Sequence, residues 1–212
     1  MEKGICYIVG AGENYGIDFA PTSNDIVIAA DAGVTYLDES GIVADLIIGD
    51  FDTLRYIPSQ PNVIILRAEK DDTDMFAAIR EGIKLGYEVF YVYCGTGGRI
   101  DHTIANLQIL AYLSEHKKQG YLFDRDNIVT IISNSKISFK EISSGYVSVF
   151  SYSEKAEGVF LQGLKYELEN SVLVNTFPLG VSNEFIGKKS NISVKCGMLL
   201  IVFPRKEKEK II

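Results

Sequence analysis

No uncharged apolar run in this chain approaches the roughly 18 residues that a membrane-spanning helix needs, so none is expected. The first ten residues, Met1 to Gly10, pass directly into a strand-like segment without the apolar core and cleavage site of a secretory leader, so a soluble, cytoplasmic protein is expected. Cysteine is scarce. Cys6, Cys94 and Cys196 are far apart, lie in or beside apolar runs and have neither CxxC nor Cys/His spacing, which excludes a disulfide framework or zinc site and predicts reduced core thiols. Basic charge is short as well: 21 Lys and Arg face 28 Asp and Glu, a formal net charge of -7 that argues against a nucleic-acid partner. Internal repeats and low-complexity tracts are missing. What is present is apolar sequence, 47% of 212 residues, enough for a real core in one large domain or two small ones.

The informative feature is a set of short acidic motifs placed where apolar runs stop. Ile26 to Ala30 ends at Asp31-Ala32-Gly33, and Leu46 to Ile48 ends at Gly49-Asp50-Phe51-Asp52. Val89 to Tyr93 ends at Cys94-Gly95-Thr96-Gly97-Gly98, which leads into Arg99-Ile100-Asp101-His102. Runs this short and rich in Val, Ile and Tyr read as buried parallel strands, whose carboxyl ends are where open α/β sheets bind ligands. Between them lies Lys70-Asp71-Asp72-Thr73-Asp74, followed by a helical pattern from Thr73 to Leu85 with Met75, Phe76, Ile79 and Ile83 as its apolar face, Asp72 or Thr73 as cap and Gly86 as stop. A second helix is predicted from Asp101 to Lys117, with Ile104, Leu107 and Ala111 on one face. Asp74 and Asp101 therefore fall at helix starts.

After about residue 127 the pattern changes to short alternating runs separated by Gly, Asn and Ser, among them Val129 to Ile132, Tyr146 to Phe150 and Met198 to Phe203. The expected fold is an α/β N-terminal domain with a mainly parallel sheet, residues 1–126, and an all-β C-terminal sandwich domain, residues 127–212. Arg125-Asp126-Asn127 is the expected junction, the segments from Gly163 to Asn170 and from Gly180 to Phe185 read as turns, and the Lys206 to Lys210 tail reads as a solvated end.

Unpaired buried carboxylates are poor core material, but carboxylates at strand ends suit a divalent cation held against phosphates. Asp50 and Asp52 would point to one side and share such an ion, although a D-x-D pair also occurs in ordinary turns. Capping alone does not explain three acids within Asp71, Asp72 and Asp74, whose mutual repulsion calls for a cation. Gly95 to Gly98 can turn backbone N–H groups toward an anion or can be a tight turn, with Arg99 and Lys70 as positive charges on the same rim. His102 is a general base by type or a structural hydrogen-bonding residue. Gly10-Ala11-Gly12 begins like a dinucleotide fingerprint but lacks the full spacing.

The order D-A-G, G-D-F-D, K-D-D-T-D, G-G-R-I-D-H-T-I-A-N, G-L-K-Y-x-L and V-S-N-E, running over nearly the whole chain, resembles the thiamine pyrophosphokinase family. The resemblance implies transfer of the terminal pyrophosphate of ATP to the hydroxyethyl oxygen of thiamine, giving thiamine diphosphate and AMP, with Mg2+ required. It implies a homodimer binding thiamine and ATP, with the site shared between subunits. Asp50, Asp52 and Asp74 would be the Mg2+ ligands, with Asp71 in the same acidic set. Lys70, Gly97, Gly98 and Arg99 would hold phosphates, with Asp31 and His102 completing the cofactor-binding residues. Asp101, Asp74 and Asp52 would be catalytic, Asp101 facing the thiamine hydroxyl, and Ser182 and Asn183 would line the pyrimidine pocket. The chain departs from the family pattern in having Asp31-Ala32-Gly33-Val34 for D-G-G-A, Glu167 where many bacterial members have proline, and no tryptophan; Phe185, Phe177 or Tyr166 could replace the missing aromatic contact. Two rival readings are a Mg2+-dependent phosphohydrolase, because Leu46 to Thr53 superficially resembles a haloacid dehalogenase strand, and a non-catalytic protein that binds thiamine or a nucleotide.

Overall fold

The structure, a computed structural model, describes residues 3–211 except 53, 68, 70 and 143. Lys70 therefore lies outside the described residues. The chain divides into two compact units, one of residues 1–109 with 120–124, the other of residues 110–119 with 125–212.

From the amino end the elements run β1 (Ile5–Val9), β2 (Ile26–Ala30), α1 (Gly33–Glu39), β3 (Leu46–Gly49), β4 (Val63–Ile65), α2 (Asp74–Lys84), β5 (Val89–Tyr93), then α3 (Ile100–Glu115) and β6 (Gln119–Phe123), the first unit holding all of these but residues 110–119. The strand order is β4-β3-β2-β1-β5-β6. The β1–β2, β1–β5, β2–β3 and β3–β4 pairs are all parallel. The runs singled out as buried parallel strands are strands: Ile8, Val27, Ile28, Ile47 and Phe90 are fully buried. Each such side chain contributes about 1.5–3 kcal/mol by leaving water. Chain order proceeds outward from β1 to β4 and then returns to the other side of β1 as β5, which makes the carboxyl ends of β1 and β5 a topological switch point.

Helix α2 is capped by Thr73, whose Oγ1 accepts the Phe76 N–H at 3.1 Å, while Asp72 is engaged with Arg80 at 2.5 Å instead. Helix α3 corrects the predicted face in part. Ala111 is buried as predicted, but the buried stripe is led by Asn106, Ile109, Leu110 and Leu113, at i, i+3, i+4, i+7 spacing, and Ile104 is exposed. A polar residue leads the buried stripe because its amide has a buried partner, which a count of apolar residues cannot see. Asp31-Ala32-Gly33 shows why one of its two small positions is strict. Ala32 has an ordinary φ of -66°, whereas a Cβ on Gly33 would stand 2.0 Å from the Val9 carbonyl oxygen, so α1 can approach β1 this closely only with glycine there.

The second unit is antiparallel. One set of strands has the order β12-β9-β14-β7, the other β11-β10-β13-β8, with β7 (Asn127–Ser133), β8 (Lys136–Phe139), β9 (Tyr146–Ser151), β10 (Lys155–Gln162), β11 (Leu168–Val174), β12 (Gly180–Glu184), β13 (Ser190–Ser193) and β14 (Met198–Pro204). Alternate residues Val147, Val149, Leu199 and Ile201 are buried in the first set, and Phe139 of β8 meets Phe203 of β14 edge-on at 5.1 Å. Two segments predicted as turns contribute strands instead: Leu168 to Asn170 open β11, and β12 contains Val181, Ser182 and Asn183. Their polar and glycine-rich composition hides edge strands in which several side chains, Val181 and Ser182 among them, face solvent while Asn183 is buried. The tail is not a free solvated end. Residues Arg205–Lys210 form a 3-10 segment, and the Lys140 N–H donates to the Lys210 carbonyl at 2.7 Å. Cys6 and Cys94 are buried free thiols as expected, whereas Cys196 is exposed in the turn before β14.

Candidate active site

A cavity of about 430 Å³ opens in the first unit at the carboxyl ends of β1, β2 and β5. Three strand-end residues hold left-handed backbone without being glycine: Asp31 (φ 49°) after β2, Phe51 (φ 60°) after β3 and Cys94 (φ 53°) after β5. Such conformations cost of order 1–3 kcal/mol each and persist only where surrounding structure enforces them. Here each turns the chain sharply at the end of a strand.

One consequence is a meeting of three carboxylates. Asp31, Asp50 and Asp74 each offer an oxygen, and the three oxygens lie within 4.8 Å of one another. Six oxygens at about 2.1 Å from Mg2+ are separated by about 3–4 Å, so the group stands close to a ligating arrangement. Asp31 is 7% exposed, and its Oδ1 is buried without a hydrogen-bond partner. A buried anionic oxygen of this kind is costly unless a cation satisfies it, so the donor set fits a hard divalent metal.

The expected acidic set is only partly assembled. Asp52 is exposed and is not among the three; its N–H donates to Asp50 Oδ1 at 3.3 Å. In an extended strand the two acids of D-x-D would share a side, but Phe51 is left-handed and buries its ring, 3% exposed, which breaks the alternation. Asp71 is also exposed and outside the group. Asp31, expected among the cofactor-binding residues, joins Asp50 and Asp74.

Gly97 (φ 77°) and Gly98 (φ 59°) are consecutive left-handed residues lining the cavity. They build the kind of turn in which successive N–H groups form an anion-binding concavity. Arg99 and His102 line the same space, and Arg99 is the one Lys or Arg among the described lining residues, against Glu13, Asp31 and Asp74. The described lining thus carries more acidic than basic side chains, so a polyphosphate would need a cation to enter beside them.

Asp101 is exposed and does not line the cavity wall. Its Oδ2 accepts from Arg99 Nη2 at 2.6 Å and its Oδ1 from Arg99 Nε at 3.2 Å and from the His102 N–H at 3.0 Å. The Arg99 hydrogen bonds, with help from the His102 N–H, hold its carboxyl below the usual carboxylate range.

Ser182 and Asn183 belong to the second unit. Ser182 is exposed, left-handed (φ 56°), with its N–H on Ser148 Oγ at 3.0 Å. Asn183 is 3% exposed; its Oδ1 accepts from the Tyr166 and Glu184 N–H groups and its Nδ2 donates to the Tyr166 carbonyl. Its amide therefore clasps the Tyr166 turn. Glu167 accepts the Gly163 N–H at 2.7 Å and so closes the same turn without proline. Of the aromatic candidates, Phe185 is buried edge-on against Phe139, while Phe177 and Tyr166 are exposed.

The sequence reading missed Tyr36, Met75, Cys94, Ala105 and Asn106 as lining residues. Asn106 was legible in principle, as a polar residue on the buried stripe of a helix.

A parallel α/β sheet that brings Asp31 and Asp74, with Asp50 close to them, and a glycine turn to its switch point has the arrangement that metal-assisted phosphate chemistry requires. Comparison with known proteins narrows this. The family model described as thiamin pyrophosphokinase, catalytic domain, matches residues 20–122, and that described as thiamin pyrophosphokinase, vitamin B1 binding domain, matches residues 134–199. Together they match more than half of the chain, which belongs to the thiamin pyrophosphokinase family. The chain is 26% identical over 209 residues to thiamine pyrophosphokinase of Bacillus subtilis strain 168, covering 94% of this chain and 98% of that protein. The crystal structure of thiamin pyrophosphokinase from Geobacillus thermodenitrificans is similar with a TM-score of 0.83 and 26% identity, covering 97% of this chain and 99% of that one. The thiamine pyrophosphokinase structure from Bacillus subtilis, at 24% identity and a TM-score of 0.84 over 95% of this chain and 99% of that one, shows the same fold.

Proposed function

We propose that the first unit's cavity is where this thiamine pyrophosphokinase binds ATP and transfers its terminal pyrophosphoryl group to the hydroxyethyl oxygen of thiamine. The phosphohydrolase and the non-catalytic binder are set aside by the two family matches. The observation that carries the site assignment is the buried, unpartnered Asp31 oxygen within the carboxylate group, in the same cavity as the Gly97-Gly98 turn.

In the reaction a bond forms between the thiamine oxygen and the β-phosphorus, the bond from that phosphorus to the oxygen bridging to the α-phosphorus breaks, and AMP leaves. Little covalent help is needed from the protein; alignment and charge neutralisation dominate. Asp31, Asp50 and Asp74 would hold Mg2+, with Asp52 and Asp71 as further members of the acidic set. When bound there, Mg2+ would supply positive charge that offsets the negative charge of the phosphates. Gly97, Gly98 and Arg99, with Lys70 and His102, would receive the phosphates. Asp101 would orient the thiamine hydroxyl and accept its proton, which requires Arg99 to turn from Asp101 toward phosphate.

Residues 1–126 would be the catalytic domain and residues 127–212 a β-sandwich that binds thiamine. A homodimer is supported by an apolar exposed surface on the second unit, where Phe177, Leu179, Val181 and Tyr146 are 51–67% exposed. A second copy covering this surface would bring its Ser182 toward the thiamine ring, with Asn183 shaping the adjacent Tyr166 turn. No helix among the described residues is long and apolar enough to cross a membrane, and a cytoplasmic location is proposed.

The test is incubation of the purified protein with thiamine, ATP and Mg2+ and chromatographic resolution of the products. Equal amounts of AMP and thiamine diphosphate are expected. ADP with thiamine monophosphate would mean a simple phosphoryl transfer, and free phosphate alone a hydrolase; either sinks the reading.

A further inference from the structure

The loop Cys94 to Arg99 does not owe its shape to its own preferences alone: Gly97 and Gly98 take left-handed backbone freely, but Cys94, left-handed as well, does not. Its carbonyls are held from outside. The Gly12 N–H donates to the Cys94 carbonyl at 2.8 Å, Asn106 Nδ2 to the Gly95 carbonyl at 2.6 Å, and the Glu13 N–H to the Thr96 carbonyl at 2.9 Å. A planar trans peptide points its N–H opposite to its C=O, so fixing three successive carbonyls also fixes the N–H directions of Gly95, Thr96 and Gly97. The approach is close: a Cβ on Gly12 would stand 2.6 Å from the Cys94 carbonyl oxygen and 2.7 Å from that of Thr96.

One side chain of the loop is also tied. Thr96 is 7% exposed, and its hydroxyl donates to Asp124 Oδ1 at 2.6 Å, the short length of a hydrogen bond to a carboxylate. Asp124 follows β6, does not line the cavity, and belongs to none of the acidic motifs. Thr96 does not line the cavity either, although its neighbours Gly95 and Gly97 do. A buried threonine hydroxyl without this acceptor would have to turn or hydrate, moving the peptide planes on both sides of it.

We propose that Asp124 is a positioning residue for the nucleotide: acting through the Thr96 hydroxyl, it sets the backbone of the Gly95–Gly98 loop to receive the polyphosphate. This rests on the reading of that loop as the phosphate-binding element. The loop's fixed N–H groups then bind phosphate without reorganising, and Asp124 acts on ATP affinity and leaves thiamine affinity alone.

The experiment uses the full chain and four variants, Thr96→Val, Thr96→Ser, Asp124→Ala and Asp124→Asn. Thermal unfolding, calorimetric titration with ATP and Mg2+, and the KM for ATP and for thiamine are measured on each. Thr96→Val, nearly isosteric but without the donor, should weaken ATP binding about tenfold, a typical consequence of losing a hydrogen bond to a charged group. Its KM for thiamine should stay within about twofold. Thr96→Ser and Asp124→Asn, which keep donor and acceptor, should bind ATP within about twofold of the parent, and Asp124→Ala should match Thr96→Val. A folded Thr96→Val or Asp124→Ala that binds ATP like the parent, or that loses only thermal stability, overturns the proposal. Should Thr96→Val fail to fold, the Asp124→Ala and Asp124→Asn pair decides. A parent protein that binds ATP but makes no thiamine diphosphate would refute the proposed reaction while leaving the variant affinities to judge this inference; a parent that binds no ATP refutes both.

Discussion

Neutralising Asp31 should separate the two jobs of the carboxylate group, folding and metal binding. Oxygens of Asp31, Asp50 and Asp74 lie within 4.8 Å of one another. At that separation and an effective dielectric of about 20, each charge pair repels by about 3.5 kcal/mol. Asp31→Asn removes two such pairs while nearly preserving shape. Asp50 and Asp74 are only half-buried, so counterions and water reduce the relief to about 1–2 kcal/mol. For a chain of this size that is a rise in Tm of about 2–8 °C in EDTA. Mg2+ at about ten times its dissociation constant should stabilise the parent by about 1.4 kcal/mol, or about 3–6 °C, and the variant much less. Differential scanning calorimetry of both proteins with EDTA and across a Mg2+ titration reads the crossing directly, independent of turnover. A variant that melts below the parent in EDTA, or that gains as much from Mg2+, would falsify the reasoning that repulsion is stored there for a cation.

Two further outcomes follow from named contacts. Removing Arg99 as Arg99→Leu takes away the hydrogen bonds that hold the Asp101 carboxyl below its usual range, so that group should titrate at higher pH; if Asp101 accepts the thiamine proton, the acidic limb of the kcat/KM profile moves upward in pH, and an unmoved limb refutes the assignment. Asp25 is pushed up by burial but drawn down further by the Ile5 N–H at 2.6 Å, the Thr22 N–H at 2.7 Å and the Thr22 hydroxyl, leaving its carboxyl below the usual range. Its contribution to stability should therefore be complete above about pH 4 and fade as pH falls through the lowered folded value. Asp25→Ala should cost about 2 kcal/mol in urea unfolding at neutral pH, with the gap narrowing in acid, and a gap independent of pH would contradict this.

What could be read from the sequence, and what could not, divides along the range of the forces involved. Apolar runs of β1, β2, β3 and β5 announced a parallel sheet because burial on both faces demands such runs, and the motifs stood at the strand ends that the cavity occupies. Strands β11 and β12 stayed hidden because their pattern is set by edge positions and by bulges where the register shifts, which local composition does not encode. The acidic group that meets in the structure differs from the expected one for a related reason. D-x-D spacing predicts one side only for extended backbone, and Phe51 is left-handed because its ring enters the core, a tertiary demand that rotates Asp52 out to solvent. In sequence Asp31 is 19 residues from Asp50 and 43 from Asp74, so linear spacing does not group the three. The parallel β2–β3 pairing, with the Asp31 N–H on the Ile48 carbonyl at 2.8 Å, sets Asp31 beside the end of the strand that carries Asp50. Left-handed turns and cross-strand pairing, which no linear spacing records, thus decide which three of the acids meet.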